Sequence, residues 1–105
     1  MKPITRLLAI GLGLGCCCTL HAQDAKSLQS RSLAATCAAC HGTDGHAVAG
    51  SAVPGLAGLP AAYAAEQMKA FKAGTRSATV MHQIARGYTE AQIEQLSAYF
   101  AAQPK

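Results

Sequence analysis

Two cysteines and one histidine lie close together near the middle of the chain: Cys37 and Cys40 are separated by two alanines, and His41 follows directly. On a helix, thiols three residues apart are about one turn apart, so both can form thioethers with the vinyl groups along one edge of a porphyrin. The adjacent imidazole then lies beneath the iron. This pattern is typical of the attachment site of a c-type haem. We therefore predict one covalently bound haem c, attached through Cys37 and Cys40, with His41 as an axial ligand.

Three other uses of such a cysteine pair fit the sequence less well. A thioredoxin-like redox pair needs a βαβ surround, which the sequence pattern lacks. A zinc site needs two more ligands at metal-binding spacing, and His46 alone does not complete one. A disulfide between Cys37 and Cys40 would close almost no loop and would add little stability.

The chain beyond residue 22 is also poor in core-forming side chains. It contains 17 Val, Ile, Leu, Met, Phe and Tyr residues and no Trp. A domain of this size is marginally stable without a disulfide, a metal or a cofactor. The faces of a haem would supply the missing apolar area.

The other axial position of the iron is expected to be filled from downstream in the chain. We predict Met81 as this ligand, because a thioether opposite an imidazole is the usual pairing in cytochromes c. Met68 lies on the apolar stripe of a predicted helix, where methionine usually fills a core. His82 would give bis-histidine ligation, but on a helix its side chain points about a quarter of the circle away from that of Met81. His46 follows His41 too closely to reach the opposite face easily.

Three helices are predicted to position these residues. The first covers residues 27–37. The second begins at Pro60 and ends at Gly74, which matches the preference for proline at helix starts and glycine at helix ends. The third begins with a capping box formed by Thr89 and Gln92. No segment alternates apolar and polar residues convincingly, so we predict an all-α fold.

A glycine-rich loop connects the first two helices. Residues 42–58 contain five glycines, and a loop of this length in a small domain usually carries function or wraps a ligand. The side chains expected to face the core are Leu28 and Leu33 in the first helix, Ala64, Gln67, Met68 and Phe71 in the second, with Tyr63 beside them, and Ile93, Leu96 and Phe100 in the third.

The N-terminal segment has the layout of a secretory signal peptide. Lys2 and Arg6 precede an uncharged apolar run at residues 7–15, and Ala22 offers a small residue for cleavage. The apolar run is shorter than the roughly 20 residues that span a bilayer, so no permanent membrane span is expected. Lipid attachment at Cys16 is the less favoured alternative.

Length and charge exclude several classes of protein. The chain has 105 residues, a formal net charge of +4 and only 13% charged residues. These values argue against a two-domain enzyme, a polytopic membrane protein, a disordered chain and a nucleic-acid binder. The sequence therefore divides into a signal peptide, residues 1–22, and one domain, residues 23–105, which we expect in the periplasm.

Several segments resemble known proteins. Residues 37–42 and 54–60 resemble those of a small class I cytochrome c of bacterial type. The C-terminal half is similar to the cytochrome subunit of flavocytochrome c sulfide dehydrogenase. The similarity lies in segments within residues 63–89, which include the run MHQIA beginning at Met81, and in residues 96–100. Halves of cytochrome c4 are close relatives. Some members carry two haem domains, whereas this chain has one attachment motif.

The resemblance implies a fold and a set of roles. It implies three main helices and a glycine-rich loop around one haem, Met81 as the second axial ligand, and the backbone carbonyl of Pro54 as acceptor of a hydrogen bond from His41. It also implies one-electron transfer rather than catalysis. The implied donor is an FAD-binding subunit that oxidises sulfide, and another redox protein would accept the electrons.

Two alternative functions and one docking hypothesis remain open at the sequence level. The chain could be a freely diffusing electron carrier, or a haem sensor or peroxidase-like protein. Lys69, Lys72 and Arg76 recur at spacings of three and four and lead towards Met81, with Arg86 beyond it. They could form a positive rim that attracts an acidic partner surface.

Overall fold

The structure, a computed structural model, describes residues 17–105. Residues 1–16, which hold most of the predicted signal peptide and the possible lipid-attachment residue Cys16, lie outside the described part. The helices are α1 (Cys17–Ala35), α2 (Ala38–His41), α3 (Ala61–Ala73), α4 (Met81–Arg86) and α5 (Glu90–Ala101), with a short 3₁₀ turn at Thr43–Gly45. No strand occurs within residues 17–105. The prediction of an all-α fold is confirmed.

Helix α1 differs from its prediction at both ends and in its buried side. It begins ten residues before the predicted start at residue 27 and ends at Ala35, two residues before the predicted end. Leu33 packs against the core, but 65% of Leu28 is exposed. The expectation that both leucines face the core is wrong because residues five apart on a helix lie about 140° apart around its axis. Ala34 is the residue of α1 that is buried instead.

Helix α3 has the ends that the sequence predicted. Pro60 immediately precedes it, and Gly74 follows it in the left-handed region with a φ of 77°. The Gly74 N–H donates to the last carbonyls of the helix, as is usual for a glycine at this position. Ala65 is the buried residue of α3. The predicted core positions Ala64, Gln67, Met68 and Phe71 are half-buried, and Tyr63 is exposed.

Helix α4 is a short element that the three-helix prediction did not include. It begins at Met81, directly after Val80, and packs against α3. Ala85 in its last turn is completely buried. Because this helix carries the predicted ligand Met81, its position on α3 determines where that side chain lies.

Helix α5 confirms the predicted capping box. The Gln92 N–H donates to Thr89 Oγ1 at 3.2 Å, and the Thr89 N–H donates to Gln92 Oε1 at 2.9 Å. Ile93, Leu96 and Phe100 are all buried, as their spacing predicted.

The core forms where α5 packs against both α1 and α3. Ala34, Leu96 and Phe100 are its buried centre. The glycine-rich loop is joined to this core by the Gly58 N–H, which donates to the Phe100 carbonyl at 2.9 Å. No helix within the described residues is long and apolar enough to cross a membrane.

Candidate functional site

The two cysteines and the histidine share a single helical turn: Cys37 directly precedes α2, Cys40 lies within it and His41 ends it. The His41 N–H donates to the Cys37 carbonyl at 3.0 Å, and the Cys40 N–H donates to the same oxygen at 3.3 Å. Both thiols are free rather than joined in a disulfide. Cys37 is half-buried and Cys40 is exposed, so the turn presents one thiol towards the core edge and the other towards solvent.

The Cys37 thiol lies in a less polar environment than a free cysteine. Burial raises its pKa, and Thr36 Oγ1 lies 3.9 Å from its sulfur. An unmodified Cys37 therefore stays protonated at neutral pH.

His41 is buried and held in one orientation. Only 8% of the residue is exposed, and Nδ1 lies 2.7 Å from the Pro54 carbonyl oxygen. Because a carbonyl can only accept, Nδ1 carries a proton, so in the neutral ring the lone pair lies on Nε2. An imidazole oriented in this way is the usual form of a metal-binding histidine.

The loop can fold back beside His41 because it contains glycines where no side chain fits. Gly42 has a φ of 82° and a ψ of 161°. A Cβ built there would lie 1.9 Å from the His46 carbonyl oxygen. Gly45 also has a positive φ, and its carbonyl accepts from the Leu56 N–H at 2.8 Å. These contacts hold the loop segment that follows Pro54 against the segment that follows His41.

The predicted second ligand and one of its rivals are neighbours on α4. Met81 and His82 are the first two residues of this helix, and both are half-buried. His82 Nδ1 is buried without a hydrogen-bond partner among the described residues. Met68 is half-buried on α3, as expected for a residue on its apolar stripe.

His46 is exposed, and both of its ring nitrogens face backbone carbonyls. Nδ1 lies 3.2 Å from the Thr43 oxygen, and Nε2 lies 2.8 Å from the Pro104 oxygen. This arrangement supports the sequence argument against His46 as an iron ligand. Within residues 17–105, no three His, Cys, Asp or Glu side chains are grouped as a metal site.

The three cations of the docking hypothesis are already engaged within the molecule. Lys69 pairs with Glu94, which raises the pKa of the lysine, and lies 4.0 Å from Glu90. Lys72 donates to the Tyr88 carbonyl at 2.6 Å and pairs with Glu90 at 3.2 Å. Lys69 and Lys72 therefore do not form a continuous positive rim in the structure.

Arg76 is separated from the two lysines by the end of α3. The helix stops at Ala73, so the assumed continuation through Gly74 does not occur. The Arg76 guanidinium lies 4.6 Å from the centre of the Phe71 ring and donates to Gln67. This contact is a cation–π interaction within the protein.

Comparison with known proteins gives consistent results. The sequence model of the family described as "Cytochrome c" matches residues 29–103. The chain is 40% identical over 68 residues to the "Cytochrome subunit of sulfide dehydrogenase" of Chlorobaculum tepidum, covering 65% of this chain and 60% of that protein. It is 40% identical over 68 residues to the "Thiosulfate dehydrogenase electron acceptor" of Thiomonas intermedia, covering 65% of this chain and 31% of that protein.

A third relative matches more of the chain. The "Cytochrome c4" of Pseudomonas aeruginosa is 36% identical over 98 residues, which is 92% of this chain and 47% of that protein. The chain thus spans less than two thirds of the length of each of these three relatives.

Proposed function

This chain belongs to the cytochrome c family, and from that membership we propose that it transfers electrons in the periplasm with His41 and Met81 as its iron ligands. The resemblance read from the sequence is confirmed. Covalent attachment of one haem c and electron transfer without substrate chemistry of its own follow from the family. The ligand pair, the partners and the compartment are proposals.

The residues of the site fit a haem c. Cys37 and Cys40 supply two unbridged thiols for attachment, and His41 supplies an Nε2 lone pair. Met81 would supply a thioether. When bound, haem c provides an iron centre that gains and loses single electrons.

The observation that supports this function best is the hydrogen bond between His41 Nδ1 and the Pro54 carbonyl. It selects the tautomer with a free Nε2, prevents rotation of the ring, and makes Nε2 a stronger donor. Met81 opposite His41 would favour a higher potential than a second histidine would. If His41 and Met81 both held the iron, no ligand position would remain there for a substrate.

The names of the relatives indicate two classes of donor. One relative is the cytochrome subunit of a sulfide dehydrogenase, and we propose that this chain likewise receives electrons from an FAD-binding subunit that oxidises sulfide. A second redox protein then accepts them. The alternative is a freely diffusing carrier, which is favoured by the relative named as the electron acceptor of thiosulfate dehydrogenase. Size-exclusion chromatography distinguishes the two. A subunit should co-elute with the sulfide-oxidising flavoprotein, whereas a freely diffusing carrier should elute separately from both the flavoprotein and thiosulfate dehydrogenase.

The compartment is proposed from the leader. Residues 1–22 would direct export, and cleavage after Ala22 would leave the domain 23–105 in the periplasm. Mass spectrometry of the purified protein tests this proposal, since lipidation at Cys16 would give a heavier, longer chain.

The ligand pair is tested by exchanging Met81 for alanine. Met81→Ala should keep covalent haem, lose the weak far-red absorption band of the ferric protein, lower the midpoint potential and bind cyanide or carbon monoxide. Met68→Leu is the matched control, because a volume-conserving core exchange usually costs less than about 1.5 kcal/mol. If Met68→Leu lost the band and Met81→Ala kept it, the assignment would be wrong. A high-spin ferric spectrum of the unmodified protein would favour the sensor or peroxidase-like alternative.

A further inference from the structure

Tyr88, just beyond the end of α4, is held by three separate hydrogen bonds. Its N–H donates to the Ala85 carbonyl at 3.2 Å. Its carbonyl accepts from Lys72 Nζ at 2.6 Å. Its hydroxyl lies 2.8 Å from Thr36 Oγ1. Tyr88 also packs against the buried core cluster, so the residue joins α3, α4 and the turn after α1.

The bond to Thr36 ends on the turn that carries the first attachment cysteine. Thr36 Oγ1 lies 2.7 Å from the Leu33 carbonyl, which can only accept, so the single proton of Thr36 is used there. The Tyr88 hydroxyl must therefore donate to Thr36 Oγ1. The same oxygen lies 3.9 Å from Cys37 Sγ.

At its other end, Tyr88 is continuous with the helix that begins at Met81. The Gly87 N–H donates to the Ile84 carbonyl at 3.1 Å, and the Tyr88 N–H continues this series on Ala85. Ala85 is completely buried. Only Gly87 separates Tyr88 from Arg86, the last residue of α4, so Tyr88 lies about two helical turns from Met81.

We propose that Tyr88 is a positioning residue for the sixth ligand: its hydroxyl ties α4 to the Cys37 turn and so keeps Met81 in place. This inference rests on the proposed function, since it takes Met81 to be the ligand. A neutral thioether is a weak ligand, and its occupancy depends on how firmly the protein holds it. Loosening α4 raises the population in which the thioether is displaced, and an added ligand then competes more easily.

The test uses cyanide binding to the ferric, haem-loaded protein. Tyr88→Phe removes only the hydroxyl and should raise the cyanide affinity about fivefold, which corresponds to about 1 kcal/mol, the usual net contribution of one hydrogen bond. The far-red band should also disappear at a lower temperature. Tyr99→Phe is the matched control, because the Tyr99 hydroxyl donates to Asp44 at 2.6 Å, and Asp44 lies outside α4. The control should stay within about twofold of the unmodified protein.

Variants of Thr36 keep the proposal testable if Tyr88→Phe folds poorly. Thr36→Val removes the acceptor and should raise the cyanide affinity as Tyr88→Phe does, whereas Thr36→Ser keeps a hydroxyl and should restore the original affinity. If the unmodified ferric protein lacks the far-red band, the ligand assignment and this inference both fail. If the band is present but Tyr88→Phe and Tyr99→Phe change the cyanide affinity equally, or neither changes it, only the inference about Tyr88 is overturned.

Discussion

Replacing Gly42 with alanine should destabilise the protein far more than the same replacement at Gly50. Both glycines have a positive φ, 82° at Gly42 and 79° at Gly50. A Cβ at Gly50 would meet nothing within 4 Å, whereas a Cβ at Gly42 would lie 1.9 Å from the His46 carbonyl oxygen. Gly42 also has a ψ of 161°, in a backbone region that is essentially restricted to glycine. Alanine at Gly42 therefore meets both the backbone strain and the collision, whereas alanine at Gly50 meets only the strain of a positive φ.

The size of the effect follows from these contacts. Backbone strain from a positive φ costs roughly 1–3 kcal/mol, and the lower flexibility of the unfolded alanine chain offsets about 0.4–1 kcal/mol of it. Gly50→Ala should thus lose about 1 kcal/mol. At Gly42 the backbone of His46 must also move by about 1 Å to reach an allowed distance, and forced shifts of this kind usually cost about 1–3 kcal/mol. Gly42→Ala should lose at least about 2 kcal/mol.

The same displacement should affect the site, because Gly42 is bonded to His41. A shift of the Gly42 backbone would disturb the 2.7 Å hydrogen bond between His41 Nδ1 and the Pro54 carbonyl. We expect a lower haem content in purified Gly42→Ala protein than in Gly50→Ala protein, measured from the absorbance of the reduced pyridine complex.

Stability is measured by thermal and urea unfolding of the haem-loaded variants, followed by far-ultraviolet circular dichroism. In a domain of this size 1 kcal/mol shifts Tm by about 4–8 °C, so Gly42→Ala should melt at least about 4 °C below Gly50→Ala. Equal melting temperatures and equal haem content would refute the argument that the close approach of the loop requires a glycine after His41.

Three further predictions concern attachment, ionisation and helix capping. Replacing either Cys37 or Cys40 with alanine should weaken or abolish stable haem attachment, and a double variant with the helical circular dichroism of the haem protein would contradict the argument from the small core. The hydrogen bond to Asp44 and, to a smaller extent, burial raise the pKa of Tyr99. The stabilisation from this hydrogen bond is therefore complete below the ordinary tyrosine pKa of about 10, and it is lost as pH rises through the raised pKa. Between about pH 10 and 12, the Tm of the unmodified protein should therefore fall more steeply than that of Tyr99→Phe. Thr89→Ala should lower the free energy of unfolding by about 1 kcal/mol, and an unchanged urea midpoint would show that the capping box contributes nothing.

The features that could be predicted from the sequence depend on residues within about one helical turn of one another. The spacing of Cys37, Cys40 and His41 indicates haem attachment because all three lie in one turn. The end of α3 at Gly74 and the start of α5 at Thr89 follow from local hydrogen bonds and backbone preferences. Neither requires any knowledge of how the rest of the chain folds.

The features that the tertiary structure decided involve residues far apart in the chain. Lys69 and Lys72 read as a free positive face from their spacing, but the fold places them against Glu94 and Glu90, 25 and 18 residues further along. Helical spacing predicts which residues share a face of a helix, but it does not predict which residues from other helices contact that face.

The orientation of the site residues was likewise decided by packing. His41 is oriented by a carbonyl 13 residues away, which was implied by the resemblance rather than by any local pattern. The bond between Tyr88 and Thr36 joins residues 52 positions apart and left no signal in the sequence. A hydroxyl or a carbonyl can bond with any complementary group, so residue type predicts that a partner exists. Only the packing of α1, the loop and α4 on the rest of the protein determines which partner it is.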